Sequence, residues 1–428
     1  MKKKIFVGVA AIIILAGAGV VGALFTQTWN PMWNPFRPEP EEVISEMTEK
    51  MEALDSFHSV LSLDLREKER NMDITLKSVS DIDQREKENI KEHSDIDFII
   101  SLEGQKYPFS SEIILLGETV YLKIKSMPAF SDLLSLIPET PELGEEIGLF
   151  SSIFDSLKDE IQGKWIKIDE ESIKELYEEM GIPYQKQEFG GLSEAQQKEL
   201  QEKLTQLLKD KKLYYVEKEL PDEKIGKIKV YHYRLVVNKE GLKSLLPEVF
   251  ETIIEYSSSS LMEEGISPEQ VKEVMGEIEL PLLIDKIFEH IGDVRYELWI
   301  GQKDKYLYRV EASKEIDLEQ LKQALIEYLQ KISAKKGEKI EQKDIQEMDQ
   351  FLQGTLSISL KTELSDFNKV GEIKAPDEFL TVKELIQNIL QKIFFGMMMQ
   401  SGGFPEGMNL PPEVKMPSDQ SLPVPLPH

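Results

Sequence analysis

Five strand-like segments follow one another between residues 56 and 126, separated only by short charged or glycine-containing turns. Parallel strands require a crossover connection of about a dozen residues or more, whereas antiparallel strands need only a tight turn. The spacing therefore predicts an antiparallel meander, which the rest of the chain has to extend or cover. In order, the segments read SFHSVLSLDLREKE, MDITLKSVSDID, SDIDFIISLEG, YPFSSEIILLG and ETVYLKIK.

More strands are predicted downstream, and the clearest is the hairpin RYELWIGQKDKYLYRV over residues 295 to 310. Side chains alternate across a strand, so Tyr296, Leu298 and Ile300 fall on one side and Trp299 on the other. Aromatic hairpins of this kind are usually sheet core and less often the wall of a ligand cavity. Alternation alone does not say which face is inward. The other predicted strands are GKWIKID, KIKVYHYRLVVN and TLSISLKTELSDFN, the last of which is expected to close the sheet.

Helical segments flank these strands. In EPEEVISEMTEKMEAL, apolar residues recur at helical spacing behind an acidic first turn, which predicts an amphipathic opening helix. Further helices are predicted around residues 268–290 and 317–333. Near the C-terminus, TVKELIQNILQKIFFGMMMQ carries an apolar helical stripe. Four roles are open for it: packing on the domain's own surface, covering a cavity mouth, contacting a membrane, or filling a partner groove. The apolar residues of the opening helix are Val43, Ile44, Met47, Met51 and Leu54.

The N-terminal segment predicts membrane attachment. Three lysines at positions 2 to 4 precede an uncharged run from Ile5 to Phe25, and its 21 residues are enough to span a hydrocarbon core of about 30 Å. Because basic residues stay on the cytoplasmic side, we expect a single-pass protein of the cell membrane with the bulk of the chain extracytoplasmic. A cleaved signal peptide is the alternative, since small residues cluster in the second half of the run.

Four regions follow from these patterns. Residues 1–26 are predicted to form the cytoplasmic tip and the transmembrane signal-anchor, and residues 27–38 a linker rich in proline and aromatic residues. Residues 39–400 are predicted to form one domain that includes helical insertions and the C-terminal amphipathic helix, and residues 401–428 a Pro-rich disordered tail. One domain is expected because the segment LSDFN occurs only once, at residues 364–368.

Composition excludes several partners and chemistries. The formal net charge of −27 argues against a nucleic-acid partner and against adhesion of the domain to an anionic membrane surface, because both need clustered Lys and Arg. The sequence contains no cysteine, so disulfides, thiolate metal sites, cysteine nucleophiles and a lipid-modified cysteine are all excluded. The partners that remain are the cytoplasmic membrane, through Ile5 to Phe25, a lipid or other hydrophobic ligand, and an envelope protein.

Catalytic and metal-binding motifs are absent from the sequence. It contains no G-x-S-x-G, H-E-x-x-H, P-loop or G-x-G-x-x-G pattern, and its five histidines leave few imidazoles for general-base chemistry. The loop DIDQREKENIKE at 81–92 departs from a calcium loop because Arg85 takes a ligand position and Glu86 replaces the required glycine. The SDID repeats that flank it are interpreted as two arms of a hairpin with a charged tip. We therefore predict a protein that is not an enzyme and needs neither a cofactor nor a metal.

The order of several motifs resembles a known family. A helix that leads into SFHSVLSLDL is followed by GKWIKID, VYHYRLVVNKEGLKSLL, YELWIGQKDKYLYRVEAS and LSDFNKVGEIKAP. This order resembles the LolA-like superfamily, particularly its LppX/LprG-type branch, over residues 40 to 378. The resemblance implies an extracytoplasmic protein with a curved antiparallel half-barrel around helices and an apolar cavity for acyl chains. Two features depart from the family: the lipobox cysteine is missing, and extra length lies between Leu133 and Leu208 and between Leu242 and Gly292.

Together these patterns predict an α+β protein: a curved antiparallel sheet, or half-barrel, wrapped around helices with helical insertions and preceded by one transmembrane helix. The predicted function is a membrane-anchored extracytoplasmic binding protein that shelters a lipid or another hydrophobic ligand in an apolar cavity. The alternative is an envelope sensor or scaffold whose core is filled and which binds protein partners. No catalytic residue and no metal ligand is predicted. The cavity candidates are Trp165, Tyr233, Tyr296, Leu298, Trp299, Ile300 and Phe367.

Overall fold

The structure is a computed structural model. It describes residues 38–129, 158–179, 194–256, 279–336 and 345–391, apart from 70, 88, 159, 346–347, 350–351 and 390. No helix within these residues is both long and apolar enough to cross a membrane. The predicted anchor from Ile5 to Phe25, most of the linker and the tail after residue 400 lie outside the described residues, as do Met397, Met398 and Met399.

One sheet contains all twelve strands of the described chain, in the spatial order β12-β6-β5-β4-β3-β2-β1-β11-β10-β9-β8-β7. The sheet is curved and does not close. The strands are β1 Ser56–Glu67, β2 Met72–Asp83, β3 Lys91–Leu102, β4 Gln105–Leu116, β5 Thr119–Ser126, β6 Trp165–Ile168, β7 Tyr214–Ile225, β8 Ile228–Val237, β9 Arg295–Gly301, β10 Leu307–Asp317, β11 Thr355–Ser365 and β12 Leu380–Thr381.

Seven helices accompany the sheet within the described residues. They are α1 Pro40–Glu52, α2 Glu170–Glu179, α3 Glu194–Asp210, α4 Lys239–Tyr256, α5 Leu280–Ile291, α6 Leu318–Lys336 and α7, which covers residues 382–389. The α+β class is thus confirmed. The prediction of a purely antiparallel sheet was wrong in one place, because the two-residue strand β12 pairs parallel to β6.

The predicted meander is confirmed over β1 to β5, where every strand pairs antiparallel with the next one along the chain. The SDID repeats form the two arms of a hairpin, as predicted, because Ser80 lies directly opposite Ser94 in the β2–β3 ladder. Strand β11 does not lie at an edge. It lies between β1 and β10 and so joins the meander to the second half of the sheet, β7 to β10.

Strand register divides the sheet into two chemically different faces, because residues directly opposite each other share a face. The face that carries Leu63, Leu76 and Leu298 is named here the apolar face, and the opposite one the charged face. On the charged face, cross-strand neighbours form ion pairs such as His58 with Asp81 at 2.8 Å and Arg309 with Glu363 at 2.6 Å. Ion-paired side chains therefore border solvent over much of the charged face, although Ile114, Tyr121 and Val230 on the same face are buried.

Helix α1 packs on the apolar face of β7 and β9. Pro40 begins the helix, where its missing N–H costs nothing, and Glu41 and Glu42 occupy the acidic first turn. All five apolar residues predicted for its buried stripe are at most 5% exposed. They form one core cluster with residues of β7 to β10. A second cluster joins α5 and α6 to Ile316 of β10 and to Leu356 and Ile358 of β11.

Candidate functional site

Four of the predicted cavity residues lie together in the core beneath α1. Tyr233 on β8 and Tyr296, Leu298 and Ile300 on β9 are each at most 1% exposed, and they share a cluster with Met47 of α1. The sequence left the inward face of β9 undecided, and the structure shows that the face of Leu298 is turned toward α1. These side chains therefore contact a helix of the same chain.

Trp299 lies on the charged face and is nevertheless only 4% exposed. The ring of His232 stacks on it at a centroid distance of 4.2 Å, and the guanidinium of Arg309 lies 5.3 Å from the ring centroid. Its indole Nε1 donates a hydrogen bond to Glu223 Oε2 at 3.1 Å. Trp299 also forms a small hydrophobic cluster with Val230 and Tyr308, so both apolar and polar neighbours bury it.

A compact ion-pair cluster surrounds that indole. Glu297 accepts hydrogen bonds from Arg234 Nη2 at 2.7 Å and makes a 2.8 Å contact with His232 Nε2. His232 Nδ1 lies 3.0 Å from Glu223 Oε1, close enough for an ion pair although the angle does not suit a hydrogen bond. Burial opposes ionisation of Glu297, but the hydrogen bonds from Arg234 and His232 outweigh it and lower the pKa of Glu297. The cluster fastens β8 to β9.

Glu297→Gln is expected to destabilise the protein at neutral pH and to have less effect in acid. The folded-state pKa of Glu297 lies below the unfolded value, so its stabilising contribution is fully present above about pH 4.3 and is lost as the pH falls through the lower folded-state pKa. Thermal unfolding of the wild type and the variant between pH 7 and pH 3 measures the difference. Glu49→Gln on the exposed side of α1 is the control. A difference in melting temperature that did not shrink toward pH 3 would contradict this assignment.

The remaining two predicted residues, Trp165 and Phe367, lie on different parts of the sheet. Trp165 begins β6, is half-buried, and lies below the ammonium of Lys123, which is 5.4 Å from its ring centroid. Phe367 follows β11 and packs against Tyr306 and Tyr308 at centroid distances of 4.5 and 5.1 Å. Phe367 also packs against the core cluster beneath α1 and against the cluster of Trp299, but seven strands separate β6 from β9, so Trp165 does not join the other six residues.

The LSDFN segment has a structural role that the sequence did not indicate. Asn368 Oδ1 accepts a hydrogen bond from the backbone N–H of Asp55 at 2.7 Å, and the Asn368 N–H donates to Ser56 O at 2.7 Å. Asp366 and Asn368 have φ angles of 48° and 58°, a left-handed conformation that Asn and Asp adopt more readily than other non-glycine residues. The motif therefore ties the end of β11 to the start of β1.

One surface cleft of about 540 Å³ lies where the end of β8 meets the start of α4 and one side of α5. Its lining is mixed: Phe288 and Val237 alternate with charged residues, and Lys239 pairs with Asp285 at 2.7 Å. None of the predicted cavity residues lines it. Within the described residues, no group of three or more His, Asp or Glu side chains is placed to hold a metal ion.

The apolar face of β1 to β5 differs from the packed core. Of its large apolar side chains, only Tyr107 is buried, and the others are half-buried. Within the described residues, the core clusters include only Phe57 from this part of the face. The half-buried members are Phe57, Leu61, Leu63, Leu65, Met72, Ile74, Leu76, Ile82, Ile96, Phe98, Ile100, Leu102, Phe109, Ile113, Leu115, Val120, Leu122 and Ile124.

Strand geometry gives the size of this surface. Strands of 12 residues at about 3.3 Å per residue and strand spacings of about 4.8 Å make the β1–β5 part of the apolar face roughly 40 Å long and 20 Å wide. Phe98 and Phe109 lie opposite each other near its middle, with ring centroids 6.1 Å apart. Exposed apolar patches of this size in soluble domains mark ligand-binding, protein-binding or membrane-contact surfaces. It is the candidate functional site, and no single motif of the sequence distinguished it from ordinary strand core.

Comparisons with solved structures give two likenesses. The crystal structure of LprF from Mycobacterium bovis is 9% identical with a TM-score of 0.31 and covers 79% of this chain and 99% of its own. That of the lipoprotein LppX from Mycobacterium tuberculosis is 11% identical with a TM-score of 0.25 and covers 78% of this chain and 97% of its own.

Other comparisons add no relative. The chain matches no protein-family model and no curated protein sequence. At TM-scores of 0.31 and 0.25, LprF and LppX do not superpose closely on the chain. The functional proposal below is therefore based on the contacts, exposure and charge of this chain's own residues.

Proposed function

We propose that this protein is an extracytoplasmic binding protein, tethered to the cytoplasmic membrane through Ile5 to Phe25, which shelters a lipid or another hydrophobic ligand. One observation carries the proposal: apart from Tyr107, the large side chains on the apolar face of β1 to β5 are half-buried, whereas Tyr233, Leu235, Tyr296, Leu298 and Ile300 on the same face of β8 and β9 are at most 1% exposed. Burying the part of an aliphatic or aromatic side chain that still contacts water gains free energy.

The energies are sufficient for binding. Each methylene that leaves water contributes about 0.8 kcal/mol, so an acyl chain that buries about ten methylenes gains about 8 kcal/mol before the cost of immobilising the ligand. The charged face offers no comparable gain, because its cross-strand ion pairs are already solvated. An acyl ligand should therefore bind the apolar face, with Phe98 and Phe109 at the centre of the site. The predicted cavity residues on β8 and β9 then support this site from the adjoining core.

Phe98→Asp is expected to weaken binding of a fluorescent acyl-chain probe by at least about tenfold, because a carboxylate on the binding surface must lose water when the chain covers it. The full chain, kept soluble in amphipol, is titrated with a fluorescent fatty alcohol, whose uncharged head is not repelled by a carboxylate. Ile99→Asp is the matched control: it makes the same change one residue along β3, at another half-buried apolar side chain that lies on the charged face. Equal loss of binding in the two variants would contradict the proposal.

The alternative proposal is an envelope sensor or scaffold that binds a protein partner. The filled core beneath α1 supports it, since that half of the sheet leaves no room for a ligand beside Leu298. If the wild-type chain does not bind the acyl probe and carries no co-purified lipid by mass spectrometry, the scaffold function is favoured and the apolar face becomes a protein-binding surface.

A further inference from the structure

A band of hydroxyl groups crosses the otherwise apolar face of β1 to β5. Ser59, Ser80 and Ser94 lie directly opposite one another on β1, β2 and β3. Ser80 Oγ and Ser94 Oγ are 2.7 Å apart, and Ser78 Oγ lies 3.2 Å from Ser80 Oγ. Ser94 Oγ also donates a hydrogen bond to the carboxylate of Glu92. The hydroxyls thus form one connected ladder that ends in a carboxylate.

These serines occupy positions where a strand normally carries apolar residues. Ser80 and Ser94 are 7% and 4% exposed, so their hydroxyls have largely lost contact with water. β-branched and aromatic residues suit such positions better, and a buried hydroxyl costs free energy unless it finds a partner. A simple sheet core would not need the ladder, so its chemistry suggests recognition of a polar group.

Thr362 provides an independent observation. It lies on the apolar face of β11 directly opposite Leu61, in the same cross-strand row as Ser78 and Ser111. Thr362 is 9% exposed, and its Oγ1 has no hydrogen-bond partner among the described residues. A buried hydroxyl without a partner is rare in native proteins and calls for a bound group. Leu61 separates Thr362 from Ser78 in this row, so Thr362 adds an unpaired hydroxyl beside the band, on β11.

The charge on this face restricts what the band binds. The apolar face of β1 to β5 carries two carboxylates, Glu67 and Glu92, and no Lys, Arg or His in these strands. Glu67 lies at the far end of β1 and already accepts a hydrogen bond from the backbone N–H of Glu69. Glu92 is the only charged group in the ladder, and a carboxylate repels a phosphate while it accepts hydrogen bonds from hydroxyls.

We propose that this band binds the uncharged, hydroxyl-bearing headgroup of a lipid and discriminates against anionic headgroups. The inference rests on the proposed function, because it assigns the polar end of the same ligand. The acyl chains extend from the band across the rows that contain Leu63, Leu76, Phe98 and Phe109. The members of the hydroxyl band are Ser59, Ser78, Ser80, Glu92, Ser94, Ser111 and Thr362.

Competition between two short-chain lipids tests the proposal. The full chain in amphipol, loaded with the fluorescent fatty alcohol, is titrated with dioctanoylglycerol or with dioctanoyl phosphatidic acid, which share their acyl chains and differ in the headgroup. Dioctanoylglycerol is expected to displace the probe at a concentration at least about tenfold lower, since its hydroxyl reaches the band and the phosphate is repelled by Glu92. Equal potency, or a preference for the anionic lipid, overturns the proposal.

Variants identify the band as the source of the preference. Ser80→Ala with Ser94→Ala is expected to reduce the preference at least about threefold while the fatty-alcohol probe still binds. Thr362→Val keeps the side-chain shape and removes only the unpaired hydroxyl, so it should preserve folding and also reduce the preference. Ser359→Ala, at an exposed position of the charged face of β11, is the control. A preference that persists in both band variants overturns the assignment to these hydroxyls.

The two proposals fail in different ways. Probe binding without a headgroup preference leaves the lipid-binding function standing and overturns the hydroxyl band as its headgroup site. No probe binding by the wild-type chain, with the unfolding transition intact, overturns both. Each variant's thermal unfolding is recorded alongside the titration, so that a misfolded variant is recognised and the Thr362→Val result then decides.

Discussion

Met47→Asp is expected to destabilise the protein by about 4 kcal/mol or more, because it places a carboxylate inside the contact between α1 and the sheet. Met47 is 0% exposed and belongs to the same cluster as Leu298 and Tyr233. The cluster around Met47 consists of hydrophobic side chains, so an ionised carboxylate there is poorly solvated and must be protonated, or α1 must leave the sheet. Chemical denaturation monitored by circular dichroism measures the change in the free energy of unfolding.

Lys50→Asp is the control for Met47→Asp, because it introduces the same side chain on the same helix at an exposed position. Lys50 lies in the last turn of α1, where a negative charge opposes the helix dipole, and this effect is only about 0.3–1 kcal/mol. Hydrogen exchange of α1 amides separates local undocking from global unfolding. If the two variants unfolded at the same denaturant concentration, α1 would not cover the β7–β10 half of the sheet as described.

Leu298→Ala is expected to cost about 2–5 kcal/mol, because it leaves a cavity in a close-packed cluster. Leu298→Trp should cost about 1–3 kcal/mol at the same position, since α1 leaves no space for added volume. Both losses arise from one fact: Leu298 is 0% exposed and packed against side chains of α1. Denaturation curves for the two variants, with equal slopes, report the two losses directly.

Leu63→Ala is the matched comparison on β1. Leu63 also lies on the apolar face, opposite Leu76 and Leu360, but it is half-buried. Its truncation should therefore cost less stability than Leu298→Ala and should weaken binding of the acyl probe, which Leu298→Ala leaves unchanged. If Leu298→Trp lowered probe binding at unchanged stability, the ligand would lie on β9, and the cavity assignment made from the sequence would replace the one on β1 to β5.

These two sets of variants distinguish the halves of one sheet. The β7–β10 half carries a filled core, which matches the scaffold alternative, and the β1–β5 half carries the half-exposed surface that the binding function needs. Strand β11 lies between them and contributes both Leu364 to the core beneath α1 and Thr362 to the hydroxyl band. A binding function and a rigid core therefore occupy different strands of the same protein.

Local patterns were enough to predict several elements. The five apolar residues predicted for the opening helix recur at helical spacing, and all of them are buried, four within α1 and Leu54 just after it. The β1–β5 meander follows from short turns, which exclude parallel crossovers, and the β9–β10 hairpin follows from alternation around residues 301 to 304. In each case neighbouring residues along the chain contain the whole signal.

Other elements gave no such local signal. Strand β7 was not predicted, because its sequence YYVEKELPDEKI contains a proline and many charges. In the structure, two register shifts interrupt its ladder with β8. As an edge strand with exposed side chains, it needs no alternation. The parallel pair of β12 with β6 joins residues more than two hundred positions apart and spans only two residues, too few to leave a pattern.

The sequence by itself determined which residues share a face of the sheet, because side chains alternate with a period of two wherever a strand forms. It did not determine which part of a face is covered. Leu298 and Leu63 are both leucines in alternating strands, yet only Leu298 lies beneath α1. The packing position of α1 decides this difference, and α1 lies about 250 residues from Leu298 along the chain. Burial of Trp299 by His232 and Arg309, and the row of serines across β1, β2 and β3, likewise exist only once the strands are in register. Register and helix packing are long-range properties, and for that reason the tertiary structure alone decided where the candidate site lies.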